Sequence, residues 1–329
     1  MSDNESSLPS LITSLAQQLA NLTRQSHFQQ IQLAERQLFL SGRQACLALD
    51  GRAAIDSLSD VEFRVYSQTG EDGIIEWLVR NLPIRSERFV EFGVENYQEA
   101  NTRFLLRNRN WKGLVIDGSP ANIETVRADT LHWMHDLTAC AAFITCENIN
   151  DLIKNAGFQG DIGLLSVDID GNDYWVLDAI DVVRADILVC EYNSLLGDQH
   201  PIVVPYDPSF QRHKAHYSHI YYGTSIAALK LLAERKGYTL IGSDSAGHNA
   251  FFVRRELAQS LAVANRQALP SLIREARDPE GRLSFAGPQQ RYDLVKDLPV
   301  VDVGTGHIKP LRDFDNLYSE AWLKHMSKE

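Results

Sequence analysis

From Glu71 to Tyr192 the sequence alternates between short apolar stretches and amphipathic stretches, and this alternation constrains the fold more than any other feature. The apolar stretches predict strands, whereas the amphipathic ones predict helices. The predicted strands are Arg88–Phe92, Gly113–Asp117, Ala139–Thr145, Gly163–Asp168 and Asp186–Tyr192, and the predicted helices lie near 98–109, 119–130, 148–157 and 173–182. Strict alternation of strand and helix predicts a parallel sheet that is covered by helices.

The pattern changes after the fifth predicted strand. A long loop over 194–221 leads to a helix near 224–236, and YTLIGSDSAGHNAFFVRR then predicts two strands joined by a tight Asp-Ser-Ala-Gly turn. Five strand–helix units, a sixth helix and a closing hairpin predict an α/β, Rossmann-like sheet of seven strands whose last strand is antiparallel. This is the layout of class I S-adenosylmethionine (SAM) methyltransferases.

Both ends of the chain extend beyond this sheet. Residues 8–49 are predicted to be helical, with a heptad seam formed by Leu8, Ile12, Leu15, Leu19 and Leu22. Because the seam covers only two heptads, the helix either pairs with a second copy of the chain or packs on its own domain. We expect an N-terminal helical extension (1–60) that mediates any homo-oligomer, a SAM methyltransferase domain (61–256), and a C-terminal helical and loop extension (257–329) that covers the acceptor site.

The composition limits the kinds of partner. The 329 residues carry a formal net charge of −11, which disfavours nucleic acid because phosphate binding needs a basic surface. No apolar stretch approaches the roughly 18 residues of a membrane span, and the N-terminus MSDNESSLPS is acidic and polar, unlike a signal peptide. The four cysteines are scattered without a CxxC pair. We therefore expect a cytoplasmic protein with free thiols, no zinc site and no disulfide.

The residues after the first two predicted strands indicate a nucleoside ligand without a diphosphate. Ligands of open parallel sheets bind beyond the carboxyl ends of the strands. A single glycine, Gly93, stands between Glu91 and Glu95 where a pyrophosphate would need a glycine-rich loop. Two carboxylates suit SAM, which carries an ammonium and a sulfonium group. Asp117 either accepts both ribose hydroxyls or caps the next helix, and the ribose is favoured because Ser119 can supply the cap.

Further residues are expected on the cofactor side. Glu147 or Asn148 faces the adenine or caps a helix, and Gln68 or Glu71 of SQTGEDG either holds the methionine part of SAM or caps the next helix. The predicted cofactor residues are therefore Gln68, Glu91, Gly93, Asn96, Asn101, Asp117, Gly118, Ser119 and Asn148.

Acidic residues follow the fourth and fifth predicted strands. The motif LLSVDIDGNDYWVL places Asp168 and Asp170 directly after a buried strand, and the fifth strand leads into Glu191 and Asn193. Because neighbouring parallel strands end at the same edge of a sheet, these four side chains are expected to converge. Their oxygen atoms suit a hard cation such as Mg²⁺ or Mn²⁺.

The same motif allows other interpretations. Asp173 is expected to cap the following helix, and Gly171 to let the chain turn sharply before it. Asp168-Ile169-Asp170 also has the D-x-D form of a metal-dependent glycosyltransferase, which would hold a sugar-nucleotide diphosphate through its metal. A third alternative is a non-catalytic scaffold that works through its N-terminal helix.

Several long motifs resemble those of FkbM-type methyltransferases, over Tyr66 to about Arg254. They are SQTGEDGIIEWLV, FVEFGVEN, WKGLVIDGSP, ENINDLI, LLSVDIDGNDYWVL, VCEYN, YYGTSIAALKLLAERKGY and SAGHNAFFV. The resemblance implies SAM-dependent O-methylation, often of a sugar hydroxyl, as in the synthesis of bacterial surface glycans. The segments outside it are expected to decide the acceptor.

The order of the acids is also similar to that of macrolide-sugar and catechol O-methyltransferases. This similarity implies Asp168, Glu191 and Asn193 as metal ligands, with Asp168 as a candidate base. Tyr192 separates Glu191 from Asn193, whereas the corresponding residues of those enzymes are adjacent.

The loop over 194–221 contributes histidines and aromatic side chains that suit a carbohydrate acceptor. The histidines are His200, His213, His216 and His219. They are either solvated loop residues or include a catalytic base, for which His219 is the candidate. Zinc is not expected because the loop has neither thiols nor an HExxH pattern.

Overall fold

A computed structural model of the chain describes residues 7–327, and the side chains of residues 10–327. Its contacts divide the chain after Ala48 into a long helix and a larger unit that begins at Leu49. The helical extension predicted from sequence runs to residue 60. The larger unit begins earlier because Leu49, Ile55 and Leu58 are buried in its core.

The N-terminal unit is a single helix, α1 (Ser7–Ala48), of 42 residues. This confirms the helix predicted over 8–49, and at 1.5 Å per residue it is about 63 Å long. Pro9 lies in the first turn, where its missing N–H is tolerated. The seam residues from Ile12 to Leu22 are between 55% and 67% exposed, and the side chain of Leu8 lies outside the described residues.

The larger unit is built from short strands and helices in alternation. Its strands are β1 (Ala54–Ile55), β2 (Arg88–Phe92), β3 (Lys112–Asp117), β4 (Leu137–Ala141), β5 (Gly160–Val167), β6 (Val183–Glu191), β7 (Ile202–Val203), β8 (Tyr238–Ser243), β9 (Asn249–Arg254), β10 (Ala262–Val263), β11 (Pro299–Asp302) and β12 (Ile308–Pro310). Its helices are α2 (Glu71–Asn81), α3 (Arg103–Arg109), α4 (Pro120–Ala128), α5 (Thr130–Met134), α6 (Ile149–Asn155), α7 (Asp173–Ala179), α8 (Arg212–Ala215), α9 (Ile226–Arg235), α10 (Arg255–Ala258), α11 (Pro288–Val295) and α12 (Glu320–Met326).

The central sheet has seven strands in the order β4-β3-β2-β5-β6-β9-β8. Strands β2 to β6 are parallel, whereas β9 runs antiparallel to both β6 and β8. This order and the single reversed strand are those of the class I SAM methyltransferase fold, so the predicted fold class is confirmed.

Two apolar layers cover the two faces of this sheet. Along β2, Phe89 packs with Trp77 and the other apolar residues of α2, α3 and α4 on one face. The next residue, Val90, packs with α6, α7 and α9 on the other face. This alternation follows from the period of two along a strand. The helices cover the two faces of the sheet, whereas the carboxyl ends of the strands remain uncovered.

Several boundaries differ from the sequence-based prediction, and for two of them the structure shows a physical reason. The third strand was predicted over 139–145 but is β4 (Leu137–Ala141), because it pairs only with β3 and its last partner is Asp117. The helix predicted from residue 98 begins at Arg103. The amides of Asn101 and Thr102, just before α3, are instead bound by the Glu91 carboxylate.

The C-terminal residues pack on the same unit. Strands β11 and β12 form a three-stranded sheet with β7, and β10 pairs with β1. Two further findings concern the described residues as a whole. All four cysteines are free, and between residues 7 and 327 no helix combines the length and the apolarity that a bilayer span requires.

Candidate functional site

A cavity of about 440 Å³ opens at the carboxyl ends of β2, β3, β5 and β6. Its size is within the range of small-molecule sites. Of the residues predicted for the site, those that line it are Gln68, Glu91, Gly93, Asn101, Asp117, Gly118, Asp168, Asp170 and Glu191. The acids along its wall outnumber the basic residues, with eight carboxylates and one arginine among the described lining residues.

Glu91 at the end of β2 is held by the start of α3. Its carboxylate accepts the Asn101 amide at 2.8 Å, the Thr102 amide at 3.1 Å and the Thr102 hydroxyl. Burial raises the pKa of Glu91 to about 7, although these hydrogen bonds lower it. The carboxylate is therefore fixed in position by the backbone without a basic partner.

Gly93 is required by the close approach of two backbones. Its φ is 71°, and a Cβ atom there would lie 1.6 Å from the carbonyl oxygen of Asp168. No residue with a side chain fits between the β2 turn and the end of β5. The two turns therefore share one wall of the cavity.

Asp117 at the end of β3 is held by the turn after β2 and by the start of α4. Its Oδ2 accepts the Glu95 amide at 2.8 Å, and its Oδ1 accepts the Ser119 amide at 2.8 Å and the Asn122 side-chain amide at 3.1 Å. Ser119 caps α4 by accepting the Asn122 amide, as predicted. Because each carboxylate oxygen can accept two hydrogen bonds, Asp117 retains capacity toward a ligand in the cavity.

The wall after β4 is apolar. Ala142, Phe143 and Ile144 line the cavity there, and sequence analysis missed them because it extended the strand to residue 145. The structure does not bring Asn148 to the cavity, since its side chain binds the Thr145 amide and the Phe143 carbonyl. Glu147 instead accepts a hydrogen bond from the Tyr206 hydroxyl at 2.7 Å.

Three carboxylates converge at the ends of β5 and β6. Asp168, Asp170 and Glu191 each place one oxygen within 4.8 Å of the other two. Although Glu191 is only partly buried, its Oε2 is shielded from solvent and has no hydrogen-bond partner among the described residues. Burial and then the neighbouring acids raise the pKa of Asp168 and of Glu191 well above their ordinary values. This cluster is suited to a hard cation.

Asp173 holds the turn that carries Asp170. Its two oxygens accept the amides of Ile169 and Gly171 at 2.7 and 2.8 Å. Asp173 is the first residue of α7, so it reaches back into the turn and does not cap the helix as predicted. The residue with a left-handed backbone is Asp170, at φ 56°. Gly171, expected to let the chain turn sharply, has no positive φ, and a side chain is excluded there because the Phe210 ring lies where its Cβ would be.

The structure places Asn193 outside this cluster. Its Oδ1 accepts the Leu195 amide, and its Nδ2 donates to the carbonyls of Ile220 and Tyr222. The hydrogen-bonding groups of the Asn193 side chain are thus taken up by the backbone, and Asn193 does not line the cavity. Asp170, and not Asn193, is the third residue of the cluster with Asp168 and Glu191.

The histidines of the loop lie away from the cavity wall. His219 pairs with the His213 ring at a centroid distance of 6.4 Å, and His216 bonds the Ser218 hydroxyl at 2.6 Å. His200 bonds the Asp315 carbonyl at 2.6 Å. His248, which precedes β9, lines the cavity instead.

Arg212 is the main feature of the site that sequence analysis missed. Its guanidinium forms ion pairs with Asp170 at 2.8 Å and Glu275 at 2.7 Å. It also lies 3.8 Å from the centroid of the Tyr222 ring and donates to the His219 carbonyl. Its position in a loop gave no periodic signal. Glu275 shows that the C-terminal extension contributes to the cavity wall.

A third group of residues joins α2 to β9. Glu71 is fully buried and accepts the Asn249 side-chain amide at 2.9 Å. Asn249 lines the cavity, and its Oδ1 has no hydrogen-bond partner among the described residues. Gln68 lies on the exposed rim of the cavity. Asn96 and Ser119 are not among the residues that line it.

Comparisons with known proteins give distant structural similarities. No family model matches the chain, and no curated protein matches it significantly. The N-terminal domain of EvdMO1 with S-adenosylhomocysteine (SAH) bound has 12% identity and a TM-score of 0.38, covering 66% of this chain and 94% of that one. An O-methyltransferase from Bacillus cereus in complex with SAH has 12% identity and a TM-score of 0.36, covering 66% and 89%.

A SAM-dependent methyltransferase from Clostridium acetobutylicum is similar at 9% identity and a TM-score of 0.36, covering 56% of this chain and 90% of that one. At such identities and TM-scores the fold assignment rests on the strand order of the sheet itself.

Proposed function

We propose that the protein is a SAM-dependent O-methyltransferase that acts with a divalent cation on a sugar hydroxyl, such as one in a bacterial surface glycan. The observation that carries the proposal is the pairing, within one cavity, of Asp117 at the end of β3 with the three-carboxylate cluster at the ends of β5 and β6. Asp117 suits the nucleoside of the methyl donor, and the three-carboxylate cluster suits the hydroxyl that would react.

The cavity has the features that SAM needs. Asp117 retains one acceptor position on Oδ2 for a ribose hydroxyl, and Ala142, Phe143 and Ile144 offer an apolar surface to an adenine ring. The carboxylates of Glu91 and Glu95 suit the ammonium and sulfonium charges and disfavour a diphosphate. This last point argues against the glycosyltransferase alternative.

The proposed reaction is direct transfer of the methyl group. The acceptor oxygen attacks the methyl carbon, so that a new C–O bond forms as the S–C bond breaks and SAH leaves. The hydroxyl proton passes to a carboxylate of the cluster, for which Asp168 is the candidate because it ends β5 inside the cavity. His219 is less suited, since it does not line the cavity.

Asp168, Asp170 and Glu191 are the residues that would hold Mg²⁺ or Mn²⁺. When bound, such a cation stabilises the developing negative charge on the acceptor oxygen. The fit is supported by the three adjacent oxygens and by the unpartnered Oε2 of Glu191. Glu275 supports a role of the C-terminal extension at the acceptor side.

Calorimetry with SAH and with uridine diphosphate tests this proposal against its alternatives. We expect SAH to bind and uridine diphosphate not to bind. Binding of uridine diphosphate alone would favour the glycosyltransferase, and binding of neither would favour a scaffold. Excess EDTA should abolish methyl transfer, and added Mg²⁺ should restore it; full activity in EDTA would remove the cation from the mechanism.

We also propose that α1 mediates self-association. Its exposed seam from Ile12 to Leu22 is uncharged and apolar, as expected of a helix–helix contact. Removal of residues 1–48 should lower the mass measured by light scattering from that of an oligomer to that of one chain. The same number of chains per particle before and after the deletion would contradict this role.

A further inference from the structure

We propose that Arg212 is an internal counter-ion of the acidic cluster, and that a divalent cation displaces it from Asp170. The inference rests on the cation of the proposed function and adds a residue that controls its binding. Arg212 belongs to α8, in the long loop between β6 and α9. Its guanidinium reaches the cluster only through Asp170, at 2.8 Å.

The position of Arg212 is set by groups outside the cluster. One nitrogen of its guanidinium pairs with Glu275 at 2.7 Å, and Nε donates to the His219 carbonyl. The face of the guanidinium rests on Tyr222. These contacts would hold Arg212 at the edge of the cavity after the Asp170 contact is lost.

The Arg212 guanidinium and a bound divalent cation would both use the Asp170 carboxylate. Its side chain is 58% exposed, so it can turn between Arg212 and the other two acids. Asp168 and Glu191 have no arginine contact of their own among the described residues. A divalent cation that binds all three acids would therefore compete with Arg212 for Asp170, and the positive charge of Arg212 opposes that cation.

A second observation points to a ligand at this place. Asn249 is paired with Glu191 in the register of β6 and β9 and lines the same cavity. It is 5% exposed, and its Oδ1 lacks a hydrogen-bond partner among the described residues. An unsatisfied buried carbonyl oxygen in the cavity that contains the three carboxylates is the environment expected where a cation or its bound water is to be accommodated.

Mn²⁺ binding to the full chain tests the inference, measured by calorimetry and by the EPR signal of free Mn²⁺. We expect Arg212→Gln to bind Mn²⁺ about tenfold more tightly than wild type, which corresponds to about 1.4 kcal/mol. Arg212→Lys keeps the charge but lacks the planar fork, so its affinity should lie between the two. Arg277→Gln is the matched control, since Arg277 bonds the Gly281 carbonyl and not the cluster, and should change the affinity less than twofold.

Each outcome decides the matter. Equal or weaker Mn²⁺ binding by Arg212→Gln and Arg212→Lys would overturn the inference, as would an equal gain in Arg277→Gln. If neither wild type nor any variant binds Mn²⁺ while wild type still binds SAH, the inference about Arg212 and the proposed cation are both wrong. The proposal of SAM-dependent methyl transfer then stands. If SAH does not bind but the Mn²⁺ affinities of the variants follow the expected order, the inference about Arg212 stands and the methyltransferase proposal is wrong. Thermal melting of each variant verifies that it is folded.

Discussion

The two ends of the cavity hold their carboxylates in opposite ways. At the ends of β2 and β3, Glu91 and Asp117 are each bound by two backbone amides and further side-chain groups. At the ends of β5 and β6, the acids face one another, and Glu191 keeps an unpartnered Oε2.

This difference distinguishes carboxylates that the backbone holds in place from carboxylates whose mutual repulsion a positive charge would relieve. Backbone amides fix a carboxylate in place whether or not a ligand is bound, because they belong to the fold. Three carboxylates within a few ångströms repel one another unless positive charge is supplied. We therefore expect changes at the first end to affect SAH binding, and changes at the second end to affect metal binding.

The largest effect is expected at the cation end. Asp168→Asn removes a charge from the centre of the cluster and should weaken Mn²⁺ binding by about a hundredfold or more, measured by calorimetry. SAH affinity should stay within about threefold of wild type, as the Asp117 end is untouched. Asn193→Ala is the control, because its side chain binds backbone groups only, and its Mn²⁺ affinity should not change. Wild-type Mn²⁺ affinity in Asp168→Asn would remove this residue from the site.

A smaller effect is expected at the nucleoside end. A charged hydrogen bond contributes about 1.5–3 kcal/mol, so Asp117→Ala should weaken SAH binding by about tenfold or more while Mn²⁺ binding is retained. Ser119→Ala provides the comparison, since Ser119 caps the same helix without lining the cavity. If the two variants lose SAH affinity equally, the helix start and not the Asp117 carboxylate is responsible.

A third effect, on folding and not on binding, concerns the pH dependence of stability. Glu91 has a pKa of about 7 in the folded protein, above its ordinary 4.5, chiefly through burial. The unfolded chain therefore releases this proton first, and wild-type stability falls between about pH 4.5 and 7, by up to about 1.4 kcal/mol per pH unit. Glu91→Gln cannot release a proton, so its stability deficit relative to wild type should shrink over that range and be constant above it. Urea titrations at several pH values measure this, and a deficit independent of pH would contradict the raised pKa.

The strand ends could be predicted from sequence because they depend on local patterns. The first strand was predicted with its observed limits, and Asp117, Asp168 and Glu191 were placed at the cavity from their positions after apolar runs. The end of β4 could not be predicted in this way, since it is set by its pairing with β3.

The rest of the site depends on contacts between distant segments. Arg212 and Glu275 are brought together from a loop and from the C-terminal extension, and neither lies in a periodic segment. Asn193 was predicted as a ligand from its type and position, but the carbonyls of Ile220 and Tyr222 determine which way it points. Such long-range hydrogen bonds have no signature in a single sequence.

The close approach of Gly93 to the Asp168 carbonyl gives the two ends a mechanical connection. A donor that shifts the β2 turn must also shift the residue that begins the acidic motif, because there is no free space between them. Donor and cation are thus expected to bind cooperatively, and linkage requires each to alter the affinity of the other by the same factor. Titrating SAH with and without Mn²⁺, and Mn²⁺ with and without SAH, measures that factor; a value of one in both directions would mean that the shared wall is rigid.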